Sequence, residues 1–328
     1  MSPFAQLEAF RGGKGLVRMV GHRGARGIMP ENTLEGFAFT LGIGVRALEF
    51  DVVLTRDLIP VITHNCHLAT SATRTNAGAW ISPPEPRVAD LTFAELQHLD
   101  VGGLDGKTIY GQRFPDQVFL DGIRIPRLSD LLRLACSPGM EDVHLLLELK
   151  SDPASAGDPD ANHSFVAAVI AEVRSHALQQ RTILHSFDWT LLDECRRQAP
   201  EMPTSYLTQH PDNADDPGED SAKEIGPDYA NLSLSLPQAV QQVGGQMWCP
   251  YFEDVTPEQV REAHELGLLV TTWTVNAPQD IARMIEAGVD GIVSDYPGRV
   301  QRCLLDRGLD WRELDGRDRP QRSGQAPQ

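Results

Sequence analysis

Four short stretches carry side chains able to do chemistry. Gly21-His22-Arg23-Gly24 closes a strand-like apolar run. Glu49-Phe50-Asp51 lies late in a second run, and residues at i and i+2 of a strand point the same way, so the two carboxylates share a face while Phe50 takes the other. Leu145-Leu146-Leu147-Glu148-Leu149-Lys150 ends on a carboxylate and an ammonium at the same spacing, and His64 ends the run Pro60-Val61-Ile62-Thr63. Each has a plain structural reading: a loop histidine beside a surface arginine, two acids on an open-edge strand, a buried salt bridge, a satisfied core histidine. Together they supply something else. Glu49, Asp51 and Glu148 suit a hard divalent cation, and two histidines can exchange protons near neutral pH. Cys66 and His67 beside His64 lack the matching second half of a structural zinc site.

Side chains gathered in this way must sit at the ends of strands that converge. Short apolar runs alternate with amphipathic helical windows through much of the chain, the signature of parallel α/β architecture. Strands are expected at Leu16 to Val20, Ala47 to Val53, Pro60 to Thr63, His144 to Leu149, Thr182 to His185, Thr204 to Leu207, Leu268 to Trp273 and Gly291 to Val293, enough for a closed barrel. In such a barrel the C-terminal strand ends line the site. Asn32 or Thr33 can cap a helix carrying Leu34, Phe37, Ala38 and Leu41, ended by Gly42 or Gly44. Thr256-Pro257-Glu258-Gln259 reads as a capping box, and a further helix from Asp280 to Ala287 stops at Gly288.

Three regions break the rhythm. About sixty residues between His64 and Pro126 are rich in Pro, Gly, Thr and Asp, too long for an ordinary connection, and predict an inserted subdomain or lid. Pro211 to Glu224 is acidic and Pro-rich, Ser151 to Asn162 resembles a surface loop, and the tail after Arg317 is polar. The predicted division is a barrel over 15–305, interrupted by 65–126, with a polar tail over 306–328.

Composition bounds the function. The 328 residues are 41% hydrophobic and carry a net charge of −17, which disfavours nucleic acid and anionic membrane as main partners. No stretch is apolar enough to span a bilayer, and Met1 to Arg18 lacks the apolar run of a signal peptide. Five scattered cysteines without a CxxC pair argue against a disulfide framework and for a reducing compartment. The expectation is a cytoplasmic protein; a periplasmic site would require a leader already removed. Oligomeric state is not legible.

The stretch from His22 to His64 carries His-Arg-Gly, Pro30-Glu31-Asn32-Thr33, Glu49-x-Asp51, Thr55-Arg56-Asp57 and Pro60-Val61-x-x-His64. This pattern resembles the glycerophosphodiester phosphodiesterase family. The likeness continues through Ile125-Pro126-Arg127-Leu128, Glu148-x-Lys150, Ser186-Phe187, Thr272-Trp273-Thr274-Val275-Asn276 and Gly291-Ile292-Val293-Ser294-Asp295-Tyr296-Pro297, from Val17 to about Leu304. It implies a TIM (β/α)8 barrel with an inserted subdomain after the third strand. It implies a divalent metal, magnesium or calcium, on Glu49, Asp51 and Glu148, with His22 and His64 as general acid and base. Arg23 and Lys150 match phosphate contacts, and Trp273 an apolar wall beside glycerol, to which Trp189, Trp248, Tyr251 and Phe252 are further candidates. Asn65 departs from the pattern, which has Asp after the second histidine; an amide cannot support an imidazolium electrostatically as a carboxylate does.

The function implied is metal-dependent hydrolysis of glycerophosphodiesters such as glycerophosphocholine or glycerophosphoethanolamine to an alcohol and sn-glycerol 3-phosphate, a reaction of lipid and glycerol metabolism. Tyr110, Arg113 and the prolines at 83, 84 and 86 belong to the insertion expected to cover the site. A lysophospholipase D acting on lipids that keep one acyl chain, and a non-catalytic barrel binding phosphorylated ligands, are the competing readings. Which histidine is acid and which base stays open, as does direct water attack against a cyclic phosphate.

Overall fold

The computed structural model describes residues 4–155, 158–210 and 232–312. The acidic stretch from Pro211 to Glu224, part of the loop from Ser151 to Asn162 and the tail from 313 onward lie outside the described residues. The first part of the chain forms α1 (Ala5–Arg11), β1 (Arg18–Gly21), α2 (Leu34–Gly42), β2 (Ala47–Leu54) and β3 (Pro60–Ile62). The segment over 65–126 adds β4 (Arg74–Thr75), α3 (Phe93–Leu96), β5 (Leu99–Asp100) and α4 (Ile109–Arg113). Next come α5 (Leu128–Ala135), β6 (His144–Leu149), α6 (Pro159–Ser175), β7 (Thr182–Ser186), α7 (Trp189–Gln198) and β8 (Thr204–Thr208). The last part is α8 (Leu236–Gln242), β9 (Met247–Pro250), α9 (Pro257–Glu265), β10 (Leu269–Thr272), α10 (Pro278–Ala287), β11 (Gly291–Ser294) and α11 (Pro297–Asp306).

β1, β2 and β6 to β11 pair in parallel around a closed ring, β1 meeting both β11 and β2. Two expectations about its strands are corrected. Pro60–Ile62 is not in the ring: β3 pairs antiparallel with β2, Val52 opposite Ile62 and Leu54 opposite Pro60. Five residues separate the two strands, and parallel pairing needs a crossover of a dozen or more. The eighth ring member is β9, Met247–Pro250, which was not expected as a strand.

Register assigns each side chain to the inside or the outside. Glu49 pairs with Leu146, Leu146 with Ile183, Ser205 with Met247, Met247 with Leu269, and Val20 with Val293. Counting by twos from these places Val20 and His22, Glu49 and Asp51, Leu146, Glu148 and Lys150, His185, Cys249 and Asp295 on the interior side. Outward residues such as Phe50, Leu147, Trp248 and Ile292 pack under the helices in two large apolar clusters. Helix ends follow the expected chemistry. Thr33 accepts from the Gly36 amide to start α2, Thr256 and Gln259 form the capping box of α9, and Gly288 closes α10 in the left-handed region.

The segment over 65–126 packs on the barrel through its own small core, in which Leu68, Val88, Leu96 and Ile125 bury against Val53 and Val61. After α11 the chain returns to the base, where Val17 N donates to Asp310 O (2.9 Å) and Asp310 N to Gly15 O (3.0 Å). All five cysteines are free thiols. Among the described residues no helix is long and apolar enough to cross a membrane.

Candidate active site

The C-terminal mouth of the barrel collects the predicted side chains from three directions. His22 and Arg23 follow β1 in a loop that only glycine permits: a Cβ at Gly21 would lie 2.2 Å from the Gly24 carbonyl oxygen, and Gly24 has φ +88°. The tight turn brings the Arg23 amide to Glu49 Oε2 (3.1 Å). Glu49 and Asp51 stand on β2, and Glu148, level with Asp51 in register, stands on β6 with Lys150 just beyond. His64 arrives on a chain running in the opposite direction, beside β2. β3 runs back from the rim, Thr63 N donates to Asp51 O (3.1 Å), and the next residue is delivered beside the carboxylates.

Glu49, Asp51 and Glu148 are buried, and each offers a carboxylate oxygen within 4.8 Å of the others'. Burial, and then the charges of Asp51 and Glu148, push the Glu49 carboxyl well above its ordinary range. Asp51 goes the other way: burial would raise it, but His64, Arg23, Lys150 and a hydrogen bond from Asn32 Nδ2 (2.8 Å) hold it well below. Lys150 Nζ donates to Glu148 Oε1 (2.7 Å). Glu49 Oε1 is buried and has no hydrogen-bond partner among the described residues. A carboxylate oxygen orphaned beside two more carboxylates is an oxygen-only donor set of the kind hard divalent cations take.

Both histidines are tied at Nδ1. His22 Nδ1 lies 2.6 Å from Asp295 Oδ1, and its Nε2 is 3.7 Å from Glu49 Oε2. His64 Nδ1 lies 2.5 Å from Asn65 Oδ1, and its Nε2 is 3.4 Å from Lys150 Nζ. With Nδ1 oriented by an oxygen, Nε2 of each ring faces the charged centre. Burial, then the Arg26 guanidinium, holds the His22 imidazole below its ordinary pKa in spite of Asp295.

Asp295 is held from three sides, by His22, by Arg26 through Nε (2.9 Å) and Nη2 (3.2 Å), and by Asn276 Nδ2 (2.7 Å). Burial would raise its carboxyl, but Arg26 and His22 keep it well below the usual range. Arg23 lies near Asp51 (Nε to Oδ2, 3.3 Å) and donates to Glu31 Oε1 (3.1 Å). None of Asp295, Arg26, Glu31, Asn32 or Asn276 was assigned a site role from sequence, though all but Arg26 stand in motifs that carried the resemblance; Asn32 was a candidate helix cap, a place that Thr33 takes while Asn32 turns to Asp51. His185 is also buried in the barrel below this centre, bonded to Ser205 Oγ (2.8 Å), with burial driving its pKa down to about 3.

Trp273 stands beyond β10, donating through Nε1 to Cys249 O (3.0 Å) and meeting Phe187 and Tyr251 edge to face at 5.1 and 5.5 Å. Phe187 also lies 5.8 Å from Lys150 Nζ. Tyr251 is therefore beside Trp273, while Phe252 donates its amide to Trp273 O (3.0 Å) and packs its ring on Tyr251. Trp248 is fully buried outside the ring and Trp189 stacks edge-on against Tyr206 in the helix layer, so neither reaches this wall. On the opposite side, a solvent-open cleft lies between the barrel mouth and the 65–126 segment, with Glu31, His64, Asn65, His67 and Gln117 beside Val101 and Leu104 in its lining.

Residues 22–299 match the glycerophosphoryl diester phosphodiesterase family. A glycerophosphodiester phosphodiesterase of Caldanaerobacter subterraneus subsp. tengcongensis is 26% identical over 279 residues, 85% of this chain and 94% of that one. A Silicibacter pomeroyi crystal structure, provisionally named a glycerophosphoryl diester phosphodiesterase, is 60% identical and superposes with a TM-score of 0.88 over 94% of this chain and 99% of that one. An Oleispira antarctica phosphodiesterase, solved in complex with the product sn-glycerol-3-phosphate, shares the fold at 21% identity and a TM-score of 0.66, covering 88% of this chain and 97% of its own. With a closed parallel barrel, a carboxylate triad and two tethered histidines at its mouth, and this kinship along most of its length, the chain belongs to the glycerophosphoryl diester phosphodiesterase family and is a glycerophosphodiester phosphodiesterase.

Proposed function

We propose that the enzyme hydrolyses deacylated glycerophosphodiesters with a small polar alcohol, releasing that alcohol and sn-glycerol 3-phosphate, with a divalent cation on Glu49, Asp51 and Glu148 and with His22 and His64 moving the protons. The observation that carries this reading is the meeting of two Nδ1-tethered imidazoles at one carboxylate triad that contains an orphaned oxygen. The charge balance agrees. Once a cation on the triad favours the ionised form of Glu49, whose carboxyl burial and its neighbours otherwise push up, the carboxylates of Glu31, Glu49, Asp51, Glu148 and Asp295 exceed Arg23, Arg26 and Lys150 by two charges, the charge of Mg2+ or Ca2+. A cation bound there neutralises charge on the phosphoryl oxygens.

The chain's own groups do the rest. Arg23 and Lys150 bind and orient the phosphodiester, where their fixed charges act most strongly as negative charge spreads over its oxygens. One of His22 and His64 takes the proton of the attacking hydroxyl at Nε2, and the other gives one from Nε2 to the departing alkoxide. Asp295 and Asn65 hold those rings in the productive tautomer. Phe187, Tyr251 and Trp273 contact the carbon face of the glycerol, as aromatic faces do beside a polyol. The cavity under the 65–126 segment receives the alcohol, and its carboxylate, imidazoles and amides suit a hydroxylated or amino group better than an acyl chain. The segment thereby acts as the specificity lid. The product held by the Oleispira antarctica protein is the one this reaction releases.

Turnover of glycerophosphocholine against lysophosphatidylcholine tests the substrate assignment. A preference for the deacylated compound of at least about 100-fold in kcat/KM is expected. A preference for the lysolipid makes the enzyme a lysophospholipase D instead.

A further inference from the structure

One hydroxyl of the 65–126 segment touches both arms of the site. Tyr110, on α4, is 6% exposed. A phenol offers one donor and two acceptor positions, and here all three are engaged. The O–H donates to Glu31 Oε2, and the oxygen accepts from Arg23 Nη1 (3.4 Å) and from Arg26 Nη1 (3.2 Å). Arg23 is the arm that faces Asp51 and the carboxylate triad. Arg26 is the arm that grips Asp295, which in turn holds His22. Two guanidinium groups repel each other unless an acceptor and an anion stand between them, and Tyr110 with Glu31 supplies both.

The ring itself is fixed by packing. Phe114 meets it edge to face at 5.5 Å, and the Arg26 and Arg113 guanidiniums lie 5.9 Å from its centre. Phe114, in turn, lies 4.6 Å from the Arg26 guanidinium and shares an apolar cluster with Tyr296, the neighbour of Asp295. Two further bonds fasten the same face of the segment to the loop after His22: Gln117 Nε2 to Arg26 O (2.7 Å) and Val118 N to Ile28 O (2.9 Å).

We propose that Tyr110 is a positioning residue, through which the docked 65–126 segment sets Arg23 directly and His22 by way of Arg26 and Asp295. The segment is then part of the catalytic frame as well as a cover for the alcohol. This rests on the reading that Arg23 and His22 serve the reaction. Tyr110→Phe keeps the ring and its packing and removes only the shared oxygen.

The test compares wild type, Tyr110→Phe and Ile109→Ala, a neighbour on the same helix that is 64% exposed, by kcat and KM for glycerophosphocholine and by thermal unfolding. Tyr110→Phe is expected to lower kcat/KM by about 10–100-fold, with kcat itself falling at least about fivefold, while Tm drops by no more than about 4 °C. Glu31→Gln, which weakens the same node from the other side, is expected to fall in the same direction, and Ile109→Ala to stay within about twofold of wild type. A folded Tyr110→Phe enzyme with kcat within twofold of wild type overturns the proposal, as does an equal loss in Ile109→Ala. If His22→Ala abolishes glycerophosphocholine hydrolysis in the same series while Tyr110→Phe does nothing, the proposal alone fails. If wild type does not hydrolyse glycerophosphocholine, the functional reading fails and takes the proposal with it.

Discussion

At the N-terminal end of the barrel, α1 inserts Leu7 and Phe10 among Val20, Ala47, Leu146, Ile183, Met247, Leu269 and Val293, all fully or almost fully buried. The cation there, Arg18, donates through Nε to Phe10 O and through Nη2 to Ala9 O, both at 2.8 Å, so it closes the carbonyl end of the helix that covers it. At the C-terminal end, some 10 Å up the same strands on the ordinary strand rise, three carboxylates crowd together and one oxygen has no partner. At the lower end the buried cation is satisfied by carbonyl oxygens of the chain itself. The upper end leaves a buried carboxylate oxygen open for a ligand, and burying charge there costs stability that the plug below must offset.

That contrast can be broken from either side. The largest effect is expected at the top: His22→Ala or His64→Ala should lower kcat on glycerophosphocholine by about 10²–10⁴-fold and change unfolding free energy by less than about 1.5 kcal/mol, read by steady-state kinetics and urea titration. Phe10→Ala should do the reverse. Emptying the plug costs about 3–5 kcal/mol of stability, with kcat per folded molecule within twofold of wild type, because no side chain of α1 reaches the mouth.

A pH experiment sharpens the lower half. His144 begins β6 beside Phe10 (5.6 Å, edge to face), and burial drives its pKa down to about 3. The unfolded chain therefore binds a proton that the folded chain refuses between pH 6.5 and 3, so stability falls as pH drops through that window. His144→Phe removes this residue's share of the dependence, leaving that of His185, which burial holds equally low. The variant's stability relative to wild type should improve by about 2 kcal/mol between pH 7 and pH 5, and no change with pH would show that His144 takes up its proton in the folded state. The smallest effect is expected at Asn65. Asn65→Asp places a carboxylate against Nδ1 of His64, as Asp295 does for His22, and should raise kcat by up to about tenfold; a fall would mean that the amide is the better partner here.

The same division decides what could be seen in the sequence. His22, Glu49, Asp51, Glu148 and Lys150 were legible because strand periodicity alone puts i and i+2 on one face at a strand end. His64 was legible as a residue but not in its route. An apolar Pro-Val-Ile run reads alike as a ring strand or an antiparallel return, and only the short link from Leu54 to Pro60 distinguishes them. β9 hid because Met-Trp-Cys-Pro has no β-branched residue and no alternation. The supporting frame was the least legible part. Asp295 and Asn276 meet His22 and Arg26 from the far end of the chain, and Tyr110 comes from an irregular segment, so only the folded register shows that they converge.

The proposed mechanism turns on a divalent cation held at the orphaned carboxylate centre. The most direct measurement is glycerophosphocholine hydrolysis by chelator-treated wild type and Glu49→Gln, with and without added Mg2+ or Ca2+. Chelated wild type is expected to lose activity and regain it with one of these ions, while Glu49→Gln regains little. Chelated wild type hydrolysing at its full rate, or Glu49→Gln restored as fully as wild type, would contradict it.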